Sequence, residues 1–540
     1  MLTVNTSDEI DTVRASRAGH TFHERWTARR ALQLIFPRDK LFAIAVEGLS
    51  STETATPGDK AEEVADLVLY YGGGDNFADS DRLETVQFKY KLRPDVVTAS
   101  FLRKTIEKFC ATIVGYENDF TSEEIDAKAT FIFVTNASFA PDLWDALAVL
   151  QRGVPETSRG TVLRAVEYLT AICTKSGVQN PRRLFSRVAF RAAEKNLEGQ
   201  SNALRRTLTD WSAGADSQAK LRLHDLQDLV LKKAGPSGQG KNLIRREDVL
   251  DALDCQPEDL FPADTRLIDI GAVVERTALE TVGAKLTQLS VPIFVHAEGG
   301  VGKTVFVQSI AARLSNDFEV IVFDCFGGGA YRSAEHSRHL PSVGIVQIVN
   351  ELASRGLCDL LLPTEKNTRG ILKAARKRFN QAVTAVYTQS EKQGLLIIID
   401  AADNAQLEAD SRHEEAFPKL LLSMLDDEPI CGMKMVFTAR THRKDTVIGR
   451  ARVEPFELLP FSSTEARQFL ETRRPSIPEV EFATALSRSG RNARVLDYLL
   501  TTWDTNVAGA RLSTPITVKE IITQQCAKIV NDLHIAGWPE

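Results

Sequence analysis

One stretch constrains this chain more than any other: Val291–Ile310 reads VPIFVHAEGGVGKTVFVQSI. A short apolar run, a glycine-rich turn and an amphipathic segment follow one another there, the order strand, loop, helix. Glycines let successive backbone N–H groups turn inward, and the N-terminus of the following helix adds positive partial charge, so the loop suits phosphate oxygens. Gly299, Gly300 and Gly302 make the turn, Lys303 reaches the terminal phosphates, and Thr304 ligates magnesium. Glu298, Val301 and Val305 complete the cradle. Ala297 stands where such loops usually begin with glycine, so the turn must start at negative φ. By chance alone the full pattern G-x-x-x-x-G-K-[ST] arises in roughly a few per cent of chains this long. The flanking strand and helix make an ordinary glycine turn a poorer account.

The surrounding region, 269–455, agrees with that start. Short continuous apolar runs at Val320–Phe323, Leu395–Ile399 and Met433–Phe437 alternate with helical stretches, as a parallel sheet buried on both faces requires. LLIIID ends in Asp400, expected at the carboxyl end of a neighbouring strand and able to hold a magnesium shell. Asp403 either orients an attacking water or caps the next helix. MKMVFTAR ends in Arg440, a γ-phosphate sensor or else a surface salt-bridge partner. ATP and magnesium are the expected cofactors.

The motif order GGVGKT, IIIDAADNA, FTAR resembles the STAND branch of the AAA+-like ATPases, and more closely the bacterial antiviral STAND proteins (Avs). VFDCFGGGAYR at Val322–Arg332, Arg338 with His339, and SGRNARVL at Ser489–Leu496 in a helical lid carry the likeness, which spans roughly 265–505. The resemblance implies an ATP-controlled switch in antiphage defence that self-associates into a dimer or tetramer. That family carries a long repeat sensor after the ATPase, and no internal repeat is legible here. The expectation is therefore that a phage protein trigger binds through a region absent from this chain.

The amino-terminal third offers a second chemistry. Nucleases that cut phosphodiesters with magnesium need carboxylates on adjacent strands and a lysine close by to position or activate water. Phe42–Glu47 is strand-like and ends in a carboxylate; Val64–Tyr71 is strand-like and contains Asp66; Thr85–Lys91 alternates as a returning strand with Gln87 and Lys89. Period-two geometry puts Thr85, Gln87, Lys89 and Lys91 on one face, and Val86, Phe88 and Tyr90 on the other. Glu24 lies on the preceding helical segment around His20–Leu34, and Thr130–Thr135 (TFIFVT) is a further strand. This succession resembles the restriction-endonuclease-like, PD-(D/E)xK effector domains of antiviral systems, which implies double-stranded DNA as substrate. Glu47, Asp66 and Gln87 would then hold magnesium, and Lys89 would serve the water. Gln87 offers only a neutral carbonyl oxygen, so Glu47 must supply the second charge. The plainer alternative is a solvated strand face at Lys89 and Lys91. Arg25, Arg29, Arg30, Arg93, Arg103 and Lys104 are candidate contacts for a DNA backbone.

At 540 residues the chain is too long for one core. The reading is α/β throughout: a restriction-endonuclease-like domain at 1–225, a helical linker at 226–268 with breakers at Ala234–Gly240, a STAND P-loop NTPase core at 269–455, and a helical lid or start of a winged helix at 456–540. A net charge of -6 gives no global attraction to nucleic acid or an anionic membrane. The 7 cysteines show no C-x-x-C pair and read as buried thiols in a reducing compartment. Acidic residues at the start and no long apolar run lead to a cytoplasmic protein with no membrane partner. Two other functions fit the same motifs: a non-enzymatic NTP-dependent scaffold, and a restriction enzyme with an NTP-driven motor.

Overall fold

The computed structural model describes residues 6–53, 65–93, 95–153, 160–267, 273–333, 336–364, 367–508 and 515–535. The chain divides into two compact units, Met1–Pro257 and Glu258–Glu540. In both, helices cover a sheet whose strands are largely apolar, so each is an α/β fold with its own core.

The first unit opens with the helix Thr6–Ala31 and a 6-stranded sheet. Its strands are β1 (Leu41–Val46), β2 (Leu67–Gly72), β3 (Ser80–Lys89), β4 (Ala129–Thr135), β5 (Val188–Arg191) and β6 (Leu243–Ile244), in the order β5-β4-β3-β2-β1-β6. β1, β2 and β3 run antiparallel as a meander; the helix Arg103–Tyr116 then carries the chain to β4, which lies parallel to β3. LFAIAV and LVLYYG are almost wholly buried, because helices close both sides of the sheet. On one side Phe88 packs against Phe22, His23 and Trp26 of the first helix. On the other, Leu83 and Phe131 join a core with Phe109, Tyr116 and Phe133.

That packing bears on the alternative of a solvated face at Lys89 and Lys91, both of which are partly buried. Thr85 and Gln87 are 2% and 1% exposed, so the alternation separates two buried faces, and Lys91 falls beyond the strand. The expected boundary near 225 falls inside the helix Asp216–Ala234, and Ile244 of β6 pairs with Ile44 of β1. Residues 226–257 are thus part of the first compact unit.

In the second unit five strands are all parallel: β7 (Ile293–Ala297), β8 (Glu319–Asp324), β9 (Leu395–Asp400), β10 (Met433–Arg440) and β11 (Glu454–Glu457). Their order, β11-β7-β10-β9-β8, sets the carboxyl ends of β7, β10 and β9 side by side, the edge where open α/β sheets bind ligands. β10 lies between β7 and β9, so Asp400 is one strand further from the glycine loop than a direct neighbour. Helices Ser463–Arg473, Glu479–Ser489 and Ala493–Thr501 follow, with Phe461, Leu470, Phe482 and Trp503 in a separate core. The expected domain start at 269 lies outside the described residues. Cys431 and Cys526 are exposed, a correction to the expectation that every thiol is buried. Among the described residues no helix is long and apolar enough to cross a membrane.

Candidate functional sites

At the end of β7 the backbone turns through Gly300 at φ 81 and Gly302 at φ 99 into the helix Lys303–Leu314. Left-handed φ explains why glycine stands at these two positions. Ala297 is still strand and has no positive φ, so the departure from the usual first glycine is accommodated as expected. A Cβ added at Gly299 would meet nothing within 4 Å. The loop leads straight into the N-terminus of that helix, whose backbone N–H groups and positive partial charge suit a phosphate chain.

Thr304 Oγ1 donates to Asp400 Oδ2 at 2.7 Å, and Thr438 Oγ1 donates to Asp400 Oδ1 at 2.5 Å. The first helical turn and the ends of β9 and β10 thus converge on one carboxylate. Burial raises the Asp400 pKa, against the pull of both hydroxyls. A hydroxyl touching a buried carboxylate at the foot of a phosphate loop is a donor set suited to magnesium, so Thr304 and Asp400 fit the metal assigned to them. Lys303 Nζ donates to the carbonyls of Ala297 and Glu298 at 2.8 and 3.0 Å. Burial lowers its pKa, opposed by Asp403 and Asp400. Arg440 Nε stands 3.8 Å from Asp403 Oδ2. Asp403 lies in the first turn of the helix Ala402–Arg412, is 2% exposed, and is not the N-cap, which is Ala401.

The loop after β8 is a brace. Arg338 is 1% exposed and donates to the carbonyls of Asp324, Ala263 and Asp264, while His339 Nε2 meets Glu414 at 2.7 Å.

In the first unit, Asp66 immediately precedes β2, and Glu47 immediately follows β1. The Glu47 amide donates to the Asp66 carbonyl at 3.0 Å, which fixes the two residues beside each other. Glu47 is held at φ 52, a left-handed conformation that costs a non-glycine residue about 1–2 kcal/mol and recurs at functional sites. Asp66 Oδ2 accepts the Phe88 amide at 2.7 Å, and Gln87 Nε2 approaches Asp66 Oδ1 at 3.3 Å. The strand ends therefore bring Asp66, Gln87 and Lys89 together, with Glu47 on the flank. Although Glu47 as a residue is exposed, partial burial of its carboxyl and the neighbouring Asp66 raise its pKa. Burial lowers that of Lys89, against Asp66.

Two partners of Asp66 carry no signal in strand periodicity. His23 Nε2 lies 3.8 Å from Asp66 Oδ2, and Lys108 Nζ lies 4.0 Å from Oδ1. They come from helices Thr6–Ala31 and Arg103–Tyr116, and only the tertiary packing brings them in. Burial pushes the His23 pKa down to about 4, leaving a neutral ring at pH 7. A cleft of about 790 Å3 opens beside Glu47, lined also by Glu24, His20, Ser50 and Asn242.

Among the described residues no three His, Cys, Asp or Glu side chains gather as a ready metal cage. The oxygens present, from Asp66, Glu47 and Gln87, are of the kind that a hard cation takes. Two carboxylates share one neighbourhood, and a half-turn of the Gln87 amide presents its oxygen beside them. Of the basic residues proposed for DNA, Arg25 donates to the Leu197 carbonyl, Arg29 to Gln200, Arg30 to Tyr71 and Gln33, and Arg103 to Glu107. They are engaged within the fold.

No family model matches the chain, and no curated protein does. Among solved structures it is similar to a Walker-type ATPase of Pyrococcus abyssi, at 13% identity and TM-score 0.31 over 49% of this chain and 77% of that one. A STAND protein with a tetratricopeptide repeat sensor from Pyrococcus horikoshii gives 16% identity and TM-score 0.27, over 44% and 31% respectively. The SAVED/CARF-domain receptor Cap4 of Acinetobacter baumannii gives 11% identity and TM-score 0.25, over 72% and 65%. Likenesses of this degree carry no argument of their own, and the α/β fold rests on the strands and helices themselves.

Proposed function

We propose that this chain is an antiphage defence protein in which an ATP-dependent switch controls a magnesium-dependent endonuclease acting on double-stranded DNA. The observation that supports the switch is the Thr304–Asp400 contact at 2.7 Å beneath the glycine loop. Lys303 would neutralise the terminal phosphates, Thr304 and Asp400 would hold magnesium, Arg440 would sense the γ-phosphate, and Asp403 would position water. Contacts made only to the γ-phosphate favour one arrangement of the chain over another, which is what a switch requires. The motif order GGVGKT, IIIDAADNA, FTAR supports a STAND-type module that assembles as a dimer or tetramer on meeting a phage protein.

The nuclease reading is supported by Asp66, Gln87 and Lys89 meeting at adjacent strand ends beside Glu47. Asp66, Glu47 and Gln87 would hold magnesium, whose chemistry is to polarise the scissile phosphate and acidify water. Lys89, held partly desolvated, would take up or orient the proton of the attacking water. His23 and Lys108 would keep the Asp66 carboxylate in place. The test is plasmid cleavage with ATP, magnesium and the activating phage protein, comparing the parent with Lys303→Ala and Asp66→Asn. Cleavage lost in both variants, with nucleotide binding lost only in the first, is the expected result. Equal cutting by all three proteins would refute the reading.

A further inference from the structure

Asp403 is surrounded by more cations than the assigned roles use. Its Oδ2 is buried without a hydrogen-bond partner, yet Arg440 Nε lies 3.8 Å away and Arg443 Nη1 3.9 Å away. Both separations are beyond hydrogen-bond length, so each guanidinium is attracted to the carboxylate without being locked to it. Lys303 feels the same carboxylate. A buried carboxylate oxygen lacking a hydrogen bond is costly, and loosely held cations beside it are cheap to redirect.

Arg440 ends β10 in extended conformation, and the 3-10 turn Thr441–Arg443 follows it directly. That turn brings the Arg443 guanidinium back to the carboxylate oxygen that Arg440 faces, at 3.9 and 3.8 Å respectively. The turn is anchored at the foot of the phosphate loop. Arg440 is the register partner of Ala297, Thr441 Oγ1 meets His296 Nδ1 at 3.3 Å, and Lys444 Nζ approaches His296 Nε2 at 3.5 Å. A guanidinium fork matches phosphate oxygens in a way that it cannot match one carboxylate oxygen at 3.9 Å.

Resting on the nucleotide reading above, we propose that Arg443 is a second γ-phosphate-contacting cation, which shares Asp403 with Arg440 as counter-ion and exchanges it for the terminal phosphate of a bound nucleoside triphosphate. A nucleoside diphosphate offers no such exchange, so Arg443 contributes to telling the two apart.

The experiment measures Kd for magnesium-ATP and magnesium-ADP by calorimetry on the full chain, for the parent, Arg443→Gln and Arg443→Lys. Loss of one charge-assisted contact should weaken ATP binding by about tenfold in Arg443→Gln, with ADP affinity within about twofold of the parent. Arg443→Lys keeps the charge without the fork and should fall between. Arg443 is 31% exposed, and melting curves verify that both variants fold. An ATP-to-ADP affinity ratio equal to the parent's in both variants overturns the proposal while leaving the nucleotide reading intact. A parent that binds neither nucleotide overturns that reading and the proposal with it.

Discussion

The side-chain amide of Asn492 donates to the Gly299 carbonyl at 2.9 Å, while its oxygen accepts the Arg494 and Val495 amides at 3.1 and 3.4 Å. One residue thus caps the helix Ala493–Thr501 and ties that helix to the phosphate loop. A second tie runs from the Arg494 amide to the Gly300 carbonyl at 3.0 Å. The helical region cannot lift away from the loop without breaking both.

Asn492→Ala should therefore act on stability and on nucleotide exchange together. Loss of the cap costs about 1 kcal/mol, which lowers the melting temperature by about 2–4 °C. Loss of the tie to Gly299, worth about 1 kcal/mol, should speed release of a fluorescent nucleotide by roughly fivefold. Stopped-flow displacement reads the second effect. A release rate equal to the parent's would show that the helical region does not restrain the site.

Gly300 and Gly299 should respond differently to alanine. At Gly300 the φ is 81, and a Cβ would stand 2.7 Å from Asn492 Oδ1 and 3.0 Å from both Arg494 Cβ and Val518 Cγ2. Strain and crowding together should destabilise Gly300→Ala by about 1–3 kcal/mol. Gly299 has open space around its would-be Cβ, and the same change should cost less than about 1 kcal/mol. Paired thermal melts decide the matter, and equal losses at the two positions would contradict the packing described.

Lys303→Ala should remove ATP binding with little loss of fold. The Nζ of Lys303 donates only to the loop's own carbonyls, at Ala297 and Glu298. Burial lowers its pKa, so its charge is already disfavoured where it stands. Removal therefore relieves desolvation while losing the cation at the phosphates. A titration should show ATP affinity weaker by at least about tenfold, with the melting temperature nearly unchanged. Unaltered affinity would place the phosphates elsewhere.

The second unit was more legible in sequence than the first, for a physical reason. Runs such as LLIIID and MKMVFTAR are apolar and buried along most of their length because helices cover both faces of the parallel sheet, and the strands β7 to β10 stand where those runs fall. β11 was not legible: EPFE at the sheet edge alternates between partly buried and exposed, and carries no apolar run. In the first unit, alternation in TVQFKY separates the faces of β3 but does not reveal that Gln87 is buried, since a period of two cannot tell a polar core-facing residue from a solvated one. His23 and Lys108 reach Asp66 from helices far apart in sequence, and no local pattern encodes that meeting.

The last prediction concerns the first unit, where burial changes the choice of variant. A polar strand face would let Asp66→Ala and Lys89→Ala pass at small cost. Instead Asp66 Oδ2 accepts the Phe88 amide, and alanine would leave that N–H without its partner, a loss of about 1–3 kcal/mol. Asp66→Asn retains an oxygen acceptor and removes the charge. Lys89→Met retains the partly buried stem and removes the ammonium. Each should abolish magnesium-dependent plasmid cleavage by the activated protein while nucleotide binding and assembly stay at parental levels, because neither residue belongs to the second unit. Chelation by EDTA should stop the parent equally. The comparison is made at matched oligomer content, read by light scattering. Cutting at the parental rate by both variants would exclude Asp66 and Lys89 from the chemistry. An activated parent that leaves the plasmid intact would remove the nuclease reading and favour a scaffold that uses nucleotide only to assemble.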